Sequence, residues 1–271
     1  MTRIGVLYKP HVEKARLLAD TIRSHATARG ICTWLGSAWD EEEAARGLEG
    51  TDLVIGIGGD GTLLHCARVT APRGTPDLGV KLGQLGFITE INEHEVEQGL
   101  PRVMDGEGWI EERAMLKADC EKASFLALND AVVRCTAARL ANVSLSIDDV
   151  HVTTYRADGV IVSSATGSTG YSMAAGGPVL MPESTSIIVQ PICTHIGLRQ
   201  GIVLPETSKV GLTIDGRDDV VLSIDGQIEQ PLAGGGEVTV CASTYKARFL
   251  RLRPRTYFYG SLHEKLGGTR T

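Results

Sequence analysis

The sequence predicts two domains: an α/β N-terminal domain with a mostly parallel, doubly wound sheet, and an all-β, sandwich-like domain, the C-terminal tail returning to the first. Three observations predict this. Up to about residue 104, short apolar runs alternate with stretches of helical periodicity. Over residues 109–242 the rhythm changes to period two, with turn residues at short spacing. The closing segment 246–265 (KARFLRLRPRTYFYGSLHEK) is basic, aromatic and too apolar to hang free. The expected division is 1–104 plus 245–271 for the first domain and 105–244 for the second.

Residues 4–8 read as a buried strand. Val12, Ala15, Leu18, Ala19 and Ile22 share one face of a helix over 12–29, and Gly30 stands where a C-terminal cap belongs. A strand over 31–35 follows, and Asp40, Glu41, Glu42 and Glu43 open a second helix, where acids complement the N-terminal dipole. Residues 53–57 form a buried strand that stops at a cluster of glycines; 63–69 are helical, 78–87 hold another strand and 93–104 another helix. Repeated units of this length imply parallel strands joined by helical crossovers. In the second half Val143, Leu145 and Ile147 face one way while Asn142, Ser144, Ser146 and Asp148 face the other, a half-buried antiparallel strand. Strands over 150–155, 159–162, 187–189, 202–204, 210–214, 220–224 and 237–240 continue the pattern.

Composition excludes several classes. Apolar residues make up 42% and charged residues 22%, with mean hydropathy +0.01, so disorder has no support. Glycine, at 32 of 271 residues, exceeds the usual ~7%; the surplus is backbone able to turn tightly or approach a ligand. Basic and acidic residues number 27 and 33, for a net charge of −6 without a long run of one sign, which argues against a nucleic-acid or acidic-membrane surface. The 6 cysteines lack a CxxC pair and the 7 histidines an HExxH, so no zinc site is indicated and reduced thiols are expected. No apolar stretch approaches ~18 residues and no signal-peptide pattern opens the chain. A soluble, cytoplasmic protein without nucleic-acid or membrane partner is expected.

The sharpest motif is Gly58-Gly59-Asp60-Gly61-Thr62, between a buried strand and a helix. Missing β-carbons let backbone pass close to a ligand, and N–H groups at a helix start form an anion nest, so phosphate is the obvious guest. An ordinary strand-to-helix turn built on Asp-Gly chemistry is the alternative. A carboxylate beside a phosphate nest is awkward unless it acts as a base or as an outer ligand of a metal. A second segment, 158–178 (DGVIVSSATGSTGYSMAAGGP), ends a strand, supplies N-cap hydroxyls, runs through a short helix at 171–175 and stops at Gly-Gly-Pro. It offers hydroxyls and N–H groups at an open edge, or else is a small-residue helix packed tightly on a sheet. Asn129 and Asp130 interrupt an otherwise apolar strand and need partners. Asp225-Gly226 reads equally as a hairpin turn. His65 and His195 are assigned solvated or core-satisfied roles.

In combination, residues 58–64 (GGDGTLL), 85–87 (LGF), 128–130 (LND), 158–178, 225–227 (DGQ) and the RFLRLR tail resemble NAD kinases, in that family's order and spacing and over nearly the whole chain. GGDG alone is shared with lipid kinases; the DG…TGST.YS..AGGP block is the specific part. The resemblance implies a Rossmann-like first domain and a β-sandwich-like second, with Asp60 as the catalytic residue that contacts the adenosine-ribose hydroxyls of NAD and activates the 2′-OH. It implies Gly58, Gly59, Gly61 and Thr62 around the transferring phosphate and Phe87 as a wall beside the dinucleotide. Asn129, Thr166, Thr169 and Tyr171 correspond to positions around the adenine and its ribose, with Leu64, Asp130, Arg156 and Gly170 in the same NAD site. Asp158 corresponds to the residue that reaches a nicotinamide across a subunit interface, although Arg156 could pair with it locally; Asp225 matches a polar position near the site. The sequence departs from the family in Asn129-Asp130 for Asn-Glu, Ser164-Ala165 for Thr-Pro, and Gly170 for Ala.

The expected reaction is transfer of the ATP γ-phosphoryl group, with Mg²⁺ or another divalent cation carried mainly on the ATP phosphates, to the 2′-OH of NAD, giving NADP and ADP. A homodimer or homotetramer with a shared site is implied; use of inorganic polyphosphate or of NADH stays open. Two other functions are weighed. A diacylglycerol- or sphingosine-type lipid kinase shares the GGDGT loop but not the 166–178 block. A catalytically inactive NAD-binding regulator is suggested by Asp130 and opposed by Asp60.

Overall fold

The computed structural model describes residues 1–83, 86–121, 123–136, 140–215 and 220–265; Leu85 of the LGF motif lies outside them. The chain divides into two units, Met1–Glu112 with Ala247–Thr271 and Arg113–Lys246.

The first unit is α/β. It comprises β1 (Arg3–Tyr8), α1 (Glu13–Ala28), β2 (Cys32–Ser37), α2 (Glu41–Gly47), β3 (Leu53–Gly58), α3 (Asp60–Thr70), β4 (Asp77–Lys81), β5 (Ile91–Asn92) and α4 (Val96–Met104). Strands β2, β1, β3 and β4 lie side by side and parallel, with β5 beside β4. Of the helix face that the periodicity predicts, Ala15, Ala19 and Ile22 are buried and Val12 and Leu18 partly so, with Ala26 extending the stripe, and Gly30 caps the helix in the left-handed region at φ 73. Asp40 accepts the Glu43 N–H at 2.9 Å, capping α2. The helix expected over 63–69 begins at Asp60, and the one expected over 93–104 begins at Val96 after a 3-10 turn capped by Asn92. The core is aliphatic: Ile4, Val6, Ile55, Ile57, Leu78 and Val80 are essentially inaccessible.

The second unit is a β-sandwich. Its strands are β6 (Trp109–Cys120), β7 (Ala123–Ala127), β8 (Asp130–Cys135), β9 (Ala141–Ile147), β10 (Val150–Ala157) and β11 (Gly159–Ser163), then, after the short helix α5 (Tyr171–Ala174), β12 (Ile187–Ile192), β13 (Ile202–Leu204), β14 (Val210–Asp215), β15 (Val220–Ile224), β16 (Ile228–Leu232) and β17 (Glu237–Arg251). One sheet is antiparallel in the order β13-β12-β11-β8-β15-β16; the other includes β10-β9-β14-β17. Val143, Leu145, Val160, Val162, Val189, Leu212 and Leu222 share one buried cluster fed by both sheets, as alternation of inward and outward residues requires. The sequence reading misses β5, β6 and β16, takes β7 and β8 as one strand interrupted by Asn129 and Asp130, and ends β17 at residue 240, eleven residues early.

The tail belongs to the first unit. Phe249 pairs with Asp77 of β4; Glu90 accepts the N–H groups of Leu252 and Arg253 at 2.9 and 2.7 Å; and buried Arg251 is held by Glu111 and Glu90. A charge this deeply buried persists only when paired, so the RFLRLR segment is fastened and not merely covered. It ends in α6 (Tyr257–Lys265). The 6 cysteines are free. Among the described residues no helix is long and apolar enough to cross a membrane.

Candidate functional site

Strands β3 and β4 end together, with Gly58 opposite Lys81, at the carboxyl edge where open parallel sheets bind ligands. The chain leaves β3 at Gly58 and enters α3 at Asp60, with Gly59 as N-cap. None of Gly58, Gly59 and Gly61 has a positive φ; Gly59 is extended at φ −114 and ψ −173. The turn therefore lacks the left-handed residues of Asp-Gly turn chemistry, and at Gly58 the glycine answers to space. A β-carbon at Gly58 would run into the Thr62 side chain, and one at Gly59 would stand 2.8 Å from Lys81 Nζ. Thr62 is buried, and its Oγ1 accepts the Gly59 N–H at 3.3 Å, closing the loop.

Asp60 occupies the first turn of α3. Its Oδ2 accepts the Phe87 N–H at 2.8 Å, while Oδ1 is buried without a partner. A β-carbon at Gly86 would strike this carboxylate, and the Gly86 N–H is fixed on Thr89 Oγ1 at 3.0 Å. A carboxylate held by one oxygen and bare at the other can accept a hydroxyl proton. Phe87 thus acts first through its backbone; its ring packs on Phe258 of α6, centroids 6.3 Å apart. Leu64 is buried on α3 and Gly61 is exposed.

In the second unit β8 lies between β11 and β15, with Asp130 opposite Ser163 and Ala131 opposite Ile224. That register brings three separate motifs to one end of a sheet. Asp225 and Gly226, at φ 52 and 65, make the left-handed turn of the β15–β16 hairpin. The turn reading and the functional reading hold together, because the Asp225 carboxylate also accepts the N–H groups of Leu128, Asn129 and Asp130 at 3.1, 2.7 and 3.2 Å. From the other side Ser164 Oγ donates to the Leu128 carbonyl at 2.5 Å and the Ser164 N–H to the Asn129 carbonyl at 2.8 Å. Asn129 and Asp130, expected inside one strand, instead sit at a break: Leu128 and Asn129 separate β7 from β8, and side chains satisfy their backbone groups.

Asn129 Oδ1 is buried without a partner. It lines, with Asp130, Tyr171 and Asp225, an open cleft of ≈ 370 Å³. Burial, and then the Asp225 charge, push Asp130 up to about 7. Thr166 is buried and within 3.5 Å of Arg113 Nη1; Thr169 Oγ1 donates to the Thr166 carbonyl at 3.3 Å. Gly167 leaves no room for a β-carbon against the Asn129 carbonyl, which is a physical reason for the small residues there. Gly170 caps α5, and Tyr171 is exposed. Arg156 and Asp158 are exposed near the end of β10. Among the described residues they form no ion pair; it is the Cys193 thiol that hydrogen-bonds Asp158, whose charge pushes that thiol up.

Three contributors escape the sequence reading. Ser164 looks like a softened turn residue yet clamps Leu128 and also accepts the Thr166 and Gly167 N–H groups; a serine two residues before a small-residue turn is the signal that was available. Gly86 and Lys81 need the packing to be seen. His65 is buried and core-satisfied, its Nδ1 3.1 Å from Glu41 Oε1, and His195 is exposed. Among the described residues no three His, Cys, Asp or Glu side chains gather as a metal cage.

A family model described as the ATP-NAD kinase N-terminal domain matches residues 6–108, and one described as the ATP-NAD kinase C-terminal domain matches residues 128–252. The chain belongs to the ATP-NAD kinase family. Among curated NAD kinases, that of Dehalococcoides mccartyi (strain CBDB1) is 42% identical over 98% of this chain and 96% of its own length. That of Chloroflexus aggregans is 38% identical over 98% of this chain and 99% of its own length. The crystal structure of an NAD kinase from Archaeoglobus fulgidus in complex with ATP superposes with a TM-score of 0.80 at 26% identity, covering 98% of both chains. Yeast NADH kinase complexed with NADH shares the fold at a TM-score of 0.88 and 23% identity, covering 100% of this chain and 89% of that one.

Proposed function

We propose that the protein is an NAD kinase that transfers the γ-phosphoryl group of ATP to the 2′-OH of the adenosine ribose of NAD, giving NADP and ADP. The observation that carries the reading is Asp60 in a chain matched by this family in both halves: a carboxylate at the end of a glycine loop, one oxygen fixed by the Phe87 N–H and the other buried and bare.

In the reaction the 2′-oxygen bonds to the γ-phosphorus as the bond from that phosphorus to the β,γ-bridging oxygen breaks, and ADP leaves with the electron pair. The hydroxyl proton passes to Asp60 Oδ1. Because the transition state is loose, positioning dominates, and the proton moves late. The glycine loop contributes space and N–H groups for the transferring phosphate at the positive end of α3. In the second unit Asn129 Oδ1, Asp130, Thr166, Thr169 and Tyr171 bind the acceptor's adenosine. Asp225 and Ser164 hold the Leu128–Asp130 backbone in place. A divalent cation such as Mg²⁺ would be carried on the donor's phosphates, since no cage of protein ligands gathers among the described residues, and Asp60 Oδ1 is kept for the hydroxyl proton. On those phosphates the cation would neutralise charge that develops on the phosphate oxygens.

The protein acts in the cytoplasm as a homo-oligomer in which Asp158, exposed in one chain, serves the nicotinamide of another. The test of the reaction is direct: purified protein with NAD, ATP and MgCl₂ forms NADP, read with an NADP-specific dehydrogenase. Absence of NADP, or phosphorylation of diacylglycerol or sphingosine in its place, overturns the reading. Replacing ATP with inorganic polyphosphate in the same assay decides the donor.

A further inference from the structure

We infer that Lys81 is the residue that receives the donor's phosphate chain at the glycine loop. This rests on the kinase function proposed for the protein and adds to it a residue that no motif marks. Lys81 ends β4 in register with Gly58. Its ammonium lies over the turn: a β-carbon at Gly59 would be 2.8 Å from Nζ and 4.0 Å from Cε. Since Gly59 is extended and not left-handed, backbone conformation does not demand a glycine there. A side chain at that position would instead meet the lysine head and have to displace it from over the turn.

That ammonium is partly buried and, among the described residues, has no carboxylate or carbonyl partner. Lys14, Lys117 and Lys209 are far more exposed, and each is paired with an acid at 2.6, 2.9 and 3.2 Å. The acid nearest the loop, Asp60, is instead held on the Gly86–Phe87 side through Oδ2. Lys81 therefore brings a positive charge to the positive end of the 11-residue helix α3. With Asp60 turned to the Gly86–Phe87 side, the ammonium and the helix end together favour an anion placed between them. A chain of phosphates carries several negative charges and many acceptor oxygens, and a lysine binds phosphate as a point charge. Asp60 could not sit in that position itself; it would repel the chain. The loop thus divides its work: glycines make room, Lys81 holds the phosphates, and Asp60 addresses the acceptor.

The experiment compares wild type, Lys81→Met, which keeps the apolar stem, and Lys81→Arg, which keeps the charge. Without the charge-assisted hydrogen bond from the ammonium to phosphate, Lys81→Met shows a KM for ATP raised about 10- to 100-fold, with the KM for NAD within about threefold; Arg recovers most of the loss. The second readout is thermal unfolding. Without ATP, Lys81→Met melts at or above the wild-type temperature, because the ammonium it removes has no partner among the described residues. With saturating ATP, wild type gains more than the variant. Unchanged KM for ATP in Lys81→Met, or a variant that melts well below wild type without ATP, overturns the inference while leaving the kinase reading intact. A wild-type protein that makes no NADP overturns that reading and this inference with it.

Discussion

Asp225→Asn is the most informative substitution in the second unit, because it changes hydrogen bonding while respecting the backbone. Asp225 sits at φ 52, where asparagine is tolerated and alanine is not. The carboxylate accepts three N–H groups: Asn129 and Asp130 on Oδ1, Leu128 on Oδ2. Asparagine can keep the Oδ1 pair, but its NH₂ then faces the Leu128 N–H, donor against donor. Leaving that buried N–H unsatisfied costs ~1–3 kcal/mol, and the other two bonds lose their charge assistance. Relief of repulsion on Asp130 returns part of this. A net loss of about 3 kcal/mol lowers Tm by roughly 6–12 °C at 2–4 °C per kcal/mol. The assays are urea unfolding and the KM for NAD, which rises because Asn129 and Asp130 lose their anchor. Unchanged unfolding midpoint and unchanged KM would show that the clamp contributes nothing, and the account of this end of the sheet would fail.

Other outcomes follow from the same geometry. Gly86→Ala pushes a β-carbon into the Asp60 carboxylate, so turnover falls at least tenfold with little change in unfolding midpoint; full activity would mean Asp60 does not need its present position. Asp77 is fully buried, its Oδ2 2.6 Å from Thr70 Oγ1, and burial pushes it up to about 8. Because its folded value lies above the ordinary 3.8, its contribution to stability is complete below about pH 4 and is lost as pH rises through about 8, by ~4 kcal/mol at pH 7. Asp77→Asn removes that dependence, so the stability of the variant relative to wild type climbs between pH 4 and 8 in urea titrations; parallel profiles would refute it. Hybrids of Asp60→Asn and Asp158→Ala subunits, each inactive alone, regain part of the wild-type rate if the site is shared, and stay dead despite subunit exchange if it is not.

The fold class was legible because each half has its own period. Ala15, Ala19 and Ile22 mark a helix face and Val143, Leu145 and Ile147 a strand face; all are buried except Ile147, which is partly buried against the same core. What lacked a period was missed: β16 carries Pro231 on a half-exposed edge, and β17 runs on past residue 240 into the tail. At the glycine loop the sequence revealed that backbone comes close to something, but not to what. Lys81 and Gly86 act there through register and loop return, which no local pattern encodes. Asp225 shows the opposite limit. Its turn is readable from Asp-Gly, whereas its three acceptor bonds to a segment nearly a hundred residues earlier exist only once β8 and β15 pair.

The central claim is that Asp60 takes the proton of the acceptor hydroxyl, and Asp60→Asn tests it most directly when chemistry and binding are measured on the same preparation. The amide keeps the shape, so NAD affinity by calorimetry stays within about threefold and unfolding is unchanged. The kcat for NADP formation falls about 10²–10⁴-fold, the usual worth of a positioned base. Near-wild-type kcat in Asp60→Asn would contradict the account, and so would a loss confined to NAD affinity.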